Sequence, residues 1–420
     1  MKSLKLHSFL KEYCPYWIEK DINSKRIKSL SKDASDAVMR VLLIENKSVS
    51  QFSERAIFYK DLYLFDYNLN KLTSELINEL SPHKAGAKIF IENEHCFFKG
   101  APSKIIQQEI VDVLNRDGYC TSPIALGDEQ LHSIKEALAK QSFRTKGTSQ
   151  HTLSGKELLD IVIRGDTPVN QDGDTYWLVD MDALAHDSLL TSLAFDPYII
   201  SVVSKYLGCS PIHVQTNAWF SFPGMSTERN LSSNAQMFHQ DKEFIKFIKV
   251  FVYLSDVGEE QGPHCYIEGS HLDELHRKGI DLSCRVEDKD IKKFYSVNRI
   301  KMRTGHAGQI IFGDTSCVHK GSQVKNGYRL MLQLEYASSL YLSPVAPFSD
   351  IEVNCGSFLN YSESESLRMT SNYNTKARME YMQASQAMNR PSFPRHLKSL
   401  TLGPTRRCHE QAAVPRRVQD

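Results

Sequence analysis

Hydrophobic positions along this chain change period near residue 212. Upstream, from Ser103, apolar residues recur at helical spacing: Ile106, Ile110, Val113 and Leu114 share one face. Ser103 is placed to cap that helix and Asp117-Gly118 to end it. A short strand is expected at Tyr119 to Thr121, then a second helix from about Asp128 to Lys140. Residues 142–185 read as loop-rich, with turn signals at Asn170, Asp172 and Gly173. Asp187 to Leu207 reads as helical segments broken at Asp196-Pro197 and closed by Gly208. From Ile212 onward the period is two. Strands are expected at His213–Phe222, Phe244–Leu254, His264–Ile267, Gly308–Phe312 and Tyr328–Tyr336. The run Ile248 to Leu254 is too apolar for a half-exposed strand and belongs in the middle of a sheet. Short strands with long connections predict an α+β chain with a mainly β core, a double-sheet jelly roll flanked by N-terminal helices.

The two ends are less patterned. Residues 1–100 read as an appendage with amphipathic stretches at Phe9–Tyr13 and Leu69–Leu80. A small hairpin is expected from Ala87–Glu92 and Cys96–Phe98. Residues 101–341 form the expected catalytic domain and 342–420 a C-terminal extension, partly flexible, whose last part mixes Arg with Pro and Gly. A net charge of +1 gives no field to attract nucleic acid or an anionic membrane. No apolar run reaches the length of a membrane span, and the first residues lack the apolar core of a secretory signal. Nine cysteines without any Cys-x-x-Cys pair argue against a zinc ribbon or a disulfide framework and for a cytoplasmic protein.

Chemistry concentrates in Met237-Phe238-His239-Gln240-Asp241. In an extended segment His239 and Asp241 point the same way and Gln240 the other. One imidazole and one carboxylate on a common face are two-thirds of a ligand set for non-haem Fe(II). The run Gly308 to His319 offers the second imidazole, and ten residues later Arg329 can clamp a carboxylate through paired hydrogen bonds. Any one of these residues alone reads as an ordinary polar side chain. Arg329, however, lies among apolar neighbours, where an unpaired charge is costly. His264 and His271 compete for the third ligand position. His271 follows Gly269-Ser270 and reads better as a structural hydrogen bond or cap.

Several stretches, in order, resemble the phytanoyl-CoA dioxygenase family of Fe(II)- and 2-oxoglutarate-dependent oxygenases. They are Asp117-Gly118-Tyr119, Phe195-Asp196-Pro197 with Leu207-Gly208, His239-Gln240-Asp241, Gly262-Pro263, Ile267-Glu268-Gly269-Ser270-His271, and Gly308 to His319 with Gly321-Ser322 and Arg329. Glu268 stands where the family usually has proline. The resemblance spans roughly Ile105 to Tyr341 and implies a double-stranded β-helix, cupin-like, with iron at its mouth. It implies His239, Asp241 and His319 as iron ligands and Arg329 as the partner of the distal carboxylate of 2-oxoglutarate. Ser322 would add a hydroxyl to that clamp, and Gln215 and Asn217, on a strand expected beside the iron, would contact the co-substrate. Trp219 reads as packing, and Gln240 as equally suited to the substrate pocket or to solvent. The implied reaction uses O2, releases succinate and CO2, and oxidises a small-molecule substrate. A carboxylate at Asp241, rather than a small residue, favours hydroxylation over halogenation. The rivals are a cupin-like metal enzyme that does not use 2-oxoglutarate, which would need no buried anion clamp, and a catalytically silent jelly-roll binding module.

Overall fold

A computed structural model describes residues 97–98, Met369, and 102–338 apart from 146–150, 169–172, 225–230, 273–284 and a few single positions. The expected features of residues 1–96 and of the C-terminal extension lie outside the described residues, Met369 excepted.

The first helix, α1 (Lys104–Asp117), is bounded as its sequence dictates. The Ser103 hydroxyl accepts from the Ile106 N–H, and Gly118 closes the helix at φ 83°, a conformation that costs glycine little. It leads into β1 (Tyr119–Thr121) and α2 (Asp128–Ala139). Next come β2 (Ser142–Thr145), β3 (Thr152–Ser154), α3 (Gly155–Arg164), β4 (Tyr176–Val179) and α4 (Met181–Ala185). This corrects the loop-rich reading of 142–185. The strands there are three or four residues long, too short for a period to show. Helix α3 begins with a reciprocal cap in which the Ser154 hydroxyl accepts from the Glu157 N–H and the Glu157 carboxylate accepts from the Ser154 N–H. Helices α5 (Ser188–Ala194) and α6 (Pro197–Leu207) are separated at Phe195-Asp196, with proline opening α6 and Gly208 ending it.

The remaining strands are β5 (Ile212–Ser221), β6 (Phe247–Tyr253), β7 (His264–Ile267), β8 (Ile300–Arg303), β9 (Ile310–Gly313), β10 (His319–Gly321) and β11 (Arg329–Ala337). Sequence periodicity missed β8 and β10, again because they are short. All pair antiparallel. One sheet has eight strands in the order β1-β9-β6-β11-β5-β4-β2-β3, the other three in the order β10-β7-β8. As expected, β6 is central and buried at every position.

The two faces of the large sheet differ sharply. Along β11, Leu330, Leu332, Leu334 and Tyr336 pack outward with α1, α2, α5 and α6 in one continuous apolar core. Arg329, Met331, Gln333 and Glu335 alternate with them and face the small sheet. Opposite these four, β5 aligns Ser221, Trp219, Asn217 and Gln215. Among the described residues no helix is long and apolar enough to cross a membrane.

Candidate active site

Backbone pairing brings together residues eighty positions apart. His239 and His319 form an antiparallel bridge, each N–H donating to the other's carbonyl at 3.0 and 2.9 Å. The Asp241 N–H donates to Thr315 O at 2.8 Å and extends the pairing. The two imidazoles therefore lie side by side, ring centroids 4.3 Å apart. Each ring is locked in the same way, with Nδ1 2.9 Å from the carbonyl two residues earlier: Met237 for His239, Cys317 for His319. A carbonyl only accepts, so the proton sits on Nδ1 and the lone pair of Nε2 is left for the site. The two Nε2 atoms lie 3.6 Å from different oxygens of Asp241. The three ligand atoms fall within 4.8 Å of one another, the one such metal-capable group among the described residues.

The charge states suit a cation. Burial, joined by the neighbouring imidazole, holds His239 well below its ordinary pKa, and burial also lowers His319. Both are neutral, as ligands must be. Burial works against the charge of Asp241, but the Lys249 ammonium beside it pulls the other way and holds its carboxyl well below the usual carboxylate range. Two neutral imidazoles and one ionised carboxylate are the donor set that suits a divalent 3d metal such as Fe(II).

Arg329 starts β11 and is 3% exposed. Its Nη2 lies 3.4 Å from the Ser221 hydroxyl, while Nε and Nη1 are buried with no hydrogen-bond partner. A guanidinium left this way is costly unless an anion fills the space before it. On the same inner surface Asn217 Oδ1 and Trp219 Nε1 are also buried without partners. The arginine and indole donors thus fit an anionic guest lying against the large sheet, while Asn217 Oδ1, an acceptor, calls for a donor.

The structure brings His239, Asp241 and His319 together and sets Arg329 on the same interior, where Asn217 also lies. Gln215 is on the same face, but its amide donates to Glu335 rather than standing open. Ser322 has its N–H donating to Pro263 O, and the hydroxyl beside the Arg329 guanidinium is that of Ser221. His264 stays outside the ligand group, its ring 6.0 Å from that of His319. His271 points Nε2 at Asn115 O at 3.1 Å, a structural bond tying the small sheet to α1. The Gln240 amide donates to Ser316 O.

Sequence reasoning missed two features. Lys249 reaches Asp241 Oδ2 at 2.7 Å and Glu335 Oε1 at 3.7 Å, forming a buried row of alternating charges. Its signal was a lysine inside the most apolar strand, where a charge needs a partner. Tyr266 stacks on both His319 and Tyr119, backing the His319 imidazole with aromatic rings. Gly313 makes room for it, since a Cβ there would meet the Tyr266 oxygen at 2.4 Å.

No curated protein matches the sequence. Solved structures similar to it include the non-heme alpha ketoglutarate dependent carbocyclase SnoK from nogalamycin biosynthesis, at 18% identity and TM-score 0.38 over 55% of this chain and 83% of that one. HygX from Streptomyces hygroscopicus with nickel, 2-oxoglutarate and hygromycin B bound is 13% identical, TM-score 0.36, over 55% and 86%. EctD from S. alaskensis with bound Fe is 14% identical, TM-score 0.38, over 62% and 91%. The phytanoyl-CoA dioxygenase (PhyH) family model matches residues 114–329, just over half of the chain and the whole span from the end of α1 to Arg329. The chain therefore belongs to the phytanoyl-CoA dioxygenase family and is an Fe(II)- and 2-oxoglutarate-dependent oxygenase.

Proposed function

We propose that this oxygenase hydroxylates a small-molecule metabolite. In this reading His239, Asp241 and His319 hold Fe(II), and Arg329 receives the distal carboxylate of 2-oxoglutarate. The observation that carries it is the pairing of a compact, correctly charged His-Asp-His group with a buried, half-partnered arginine on one interior surface. When bound, Fe(II) and 2-oxoglutarate supply the oxidising power, consuming O2 and releasing succinate and CO2. The chain's own residues do the rest. Met237 and Cys317 carbonyls fix the imidazole tautomers, Lys249 keeps Asp241 ionised, and Tyr266 and Phe251 help close the interior to water. With Arg329 fixed at the start of β11, the co-substrate has one orientation and the substrate is left the opposite side. The carboxylate at Asp241 leaves no vacated position for a halide, which favours hydroxylation. The catalytic unit is residues 101–341. The three described cysteines, Cys120, Cys265 and Cys317, are free and buried thiols, in keeping with a cytoplasmic setting.

The test is succinate release from 2-oxoglutarate in the presence of Fe(II) and ascorbate, screened against metabolite panels with mass detection of a product 16 Da heavier. Succinate formation that rises with one metabolite class and yields that product supports the reading. Succinate formation coupled to desaturation or ring closure, with no oxygen gained, would overturn hydroxylation.

A further inference from the structure

A third imidazole looks into the interior, and the ligand group does not use it. His264 lies on β7, which pairs with β10 so that Tyr266 faces His319 and His264 faces Gly321. Directly opposed residues of an antiparallel pair share a sheet face, so His264 and Gly321 look the same way. Beyond Gly321 lies the guanidinium of Arg329: a Cβ on that glycine would sit 3.2 Å from Nη2. The small sheet thus offers an imidazole next to a glycine over which the arginine lies closely.

His264 is 6% exposed, and its Nδ1 is buried with no hydrogen-bond partner. Its ring is held edge-on against Phe251 at 4.2 Å between centroids, and the Tyr253 hydroxyl accepts from its backbone N–H at 3.2 Å. The side chain is therefore fixed by packing while its Nδ1 is left without a hydrogen-bond partner. Burial, with the Arg329 guanidinium acting in the same direction, keeps it uncharged. A neutral imidazole offers one N–H donor and one acceptor. Two buried groups with unpartnered nitrogens, His264 at Nδ1 and Arg329 at Nε and Nη1, thus flank Gly321 from the two sheets. An apolar residue would fill this place without the desolvation cost of an unpaired imidazole, so the position calls for a ligand atom.

We propose that His264 is a positioning and specificity residue that donates a second hydrogen bond to the distal carboxylate of the 2-oxo acid, alongside Arg329. The inference rests on the proposed role of Arg329 and extends it: the anion is gripped from both sheets, so the enzyme discriminates 2-oxoglutarate from 2-oxo acids that lack the distal carboxylate.

The experiment is an anaerobic titration of the Fe(II)-loaded full chain, followed by the visible charge-transfer absorption of the chelated 2-oxo acid. Two probes are used, 2-oxoglutarate and 2-oxopentanoate, which share the chelating head group and differ in the distal carboxylate. His264→Leu is expected to raise the Kd for 2-oxoglutarate about tenfold, as loss of a hydrogen bond to a charged group does, and to leave 2-oxopentanoate unchanged. His264→Gln, which keeps an N–H donor, is expected to recover most of the loss. A second arm needs no substitution at 264: Arg329→Ala should retain a preference of about tenfold for 2-oxoglutarate over 2-oxopentanoate. Equal weakening of both probes by His264→Leu, an unchanged 2-oxoglutarate Kd, or no residual preference in Arg329→Ala would each overturn the proposal. Iron binding by the parent with no absorption from either probe would instead defeat the proposed co-substrate role on which it stands.

Discussion

The two faces of β11 share a backbone and have opposite tasks. Outward, Leu330, Leu332, Leu334 and Tyr336 are fully buried against helices, with the Tyr336 hydroxyl donating to Ala194 O. That hydroxyl is the one polar side-chain atom among the four, and it has its partner. Inward, Arg329 keeps two unpartnered donors, and Lys249 bridges Asp241 and Glu335, whose Oε1 has that ion pair at 3.7 Å but no hydrogen bond. The outer face is a finished core. The inner face carries buried polar groups, some paired with one another and some without a hydrogen bond, and its cost is borne by the stability of the outer one. Alternation with period two lets one strand do both.

That contrast breaks most severely at the ligands. Asp241→Ala is expected to lower Fe(II) affinity by more than about 100-fold and to abolish succinate formation. The metal-free protein should also unfold earlier, because Lys249 loses its closer carboxylate and keeps only Glu335. Equilibrium metal titration beside a melting curve checks both halves. Arg329→Ala is expected next, weakening 2-oxoglutarate binding by about 100-fold or more through loss of a paired, charge-assisted contact, with Fe(II) affinity unchanged.

Lys249 tests the inner face as structure. Lys249→Met strands Glu335, whose pKa is already raised by burial against the pull of Lys249, and is expected to cost about 3 kcal/mol in denaturant unfolding. Adding Glu335→Gln should restore much of that loss. On the outer face, Leu332→Ala is expected to cost about 3 kcal/mol by leaving a cavity, with the Kd for 2-oxoglutarate unaffected in the folded fraction.

The mildest test is acid. His213, on β5, packs between Phe195 and Tyr336 with Thr216 within hydrogen-bond reach, and burial pulls its pKa down to about 3. Its native form is neutral while the unfolded form titrates near 6.5, so its contribution is full above pH 6.5 and is lost as pH falls toward 3. His213→Gln should flatten part of the decline in unfolding midpoint between pH 7 and 4, and the flattening should persist in a background lacking Asp241.

Much of this was legible in the sequence where the physics is local. The Ser103 cap, the Gly118 and Gly208 stops, and the long strands β5, β6 and β11 follow from periods and termini. The His-x-Asp spacing with His319 and Arg329 marked the interior because those residue types are costly together without a ligand. What was not legible depends on distant pairing. Strands β2, β3 and β4 take their identity from a chain of partners ending at β5, with Trp177 against Phe220 and Phe143 against Val179. The Lys249–Asp241–Glu335 row joins three segments, and Gln215 turned to Glu335 rather than to the open interior for the same reason.

The most direct test of the central claim, that one inner surface holds both Fe(II) and 2-oxoglutarate, is the anaerobic visible absorption of the Fe(II)-loaded protein titrated with 2-oxoglutarate, beside His319→Ala. The account predicts a weak band that saturates in the parent and is absent in the variant. Iron bound by the parent with no band at saturating 2-oxoglutarate, or a band undiminished in His319→Ala, would contradict it.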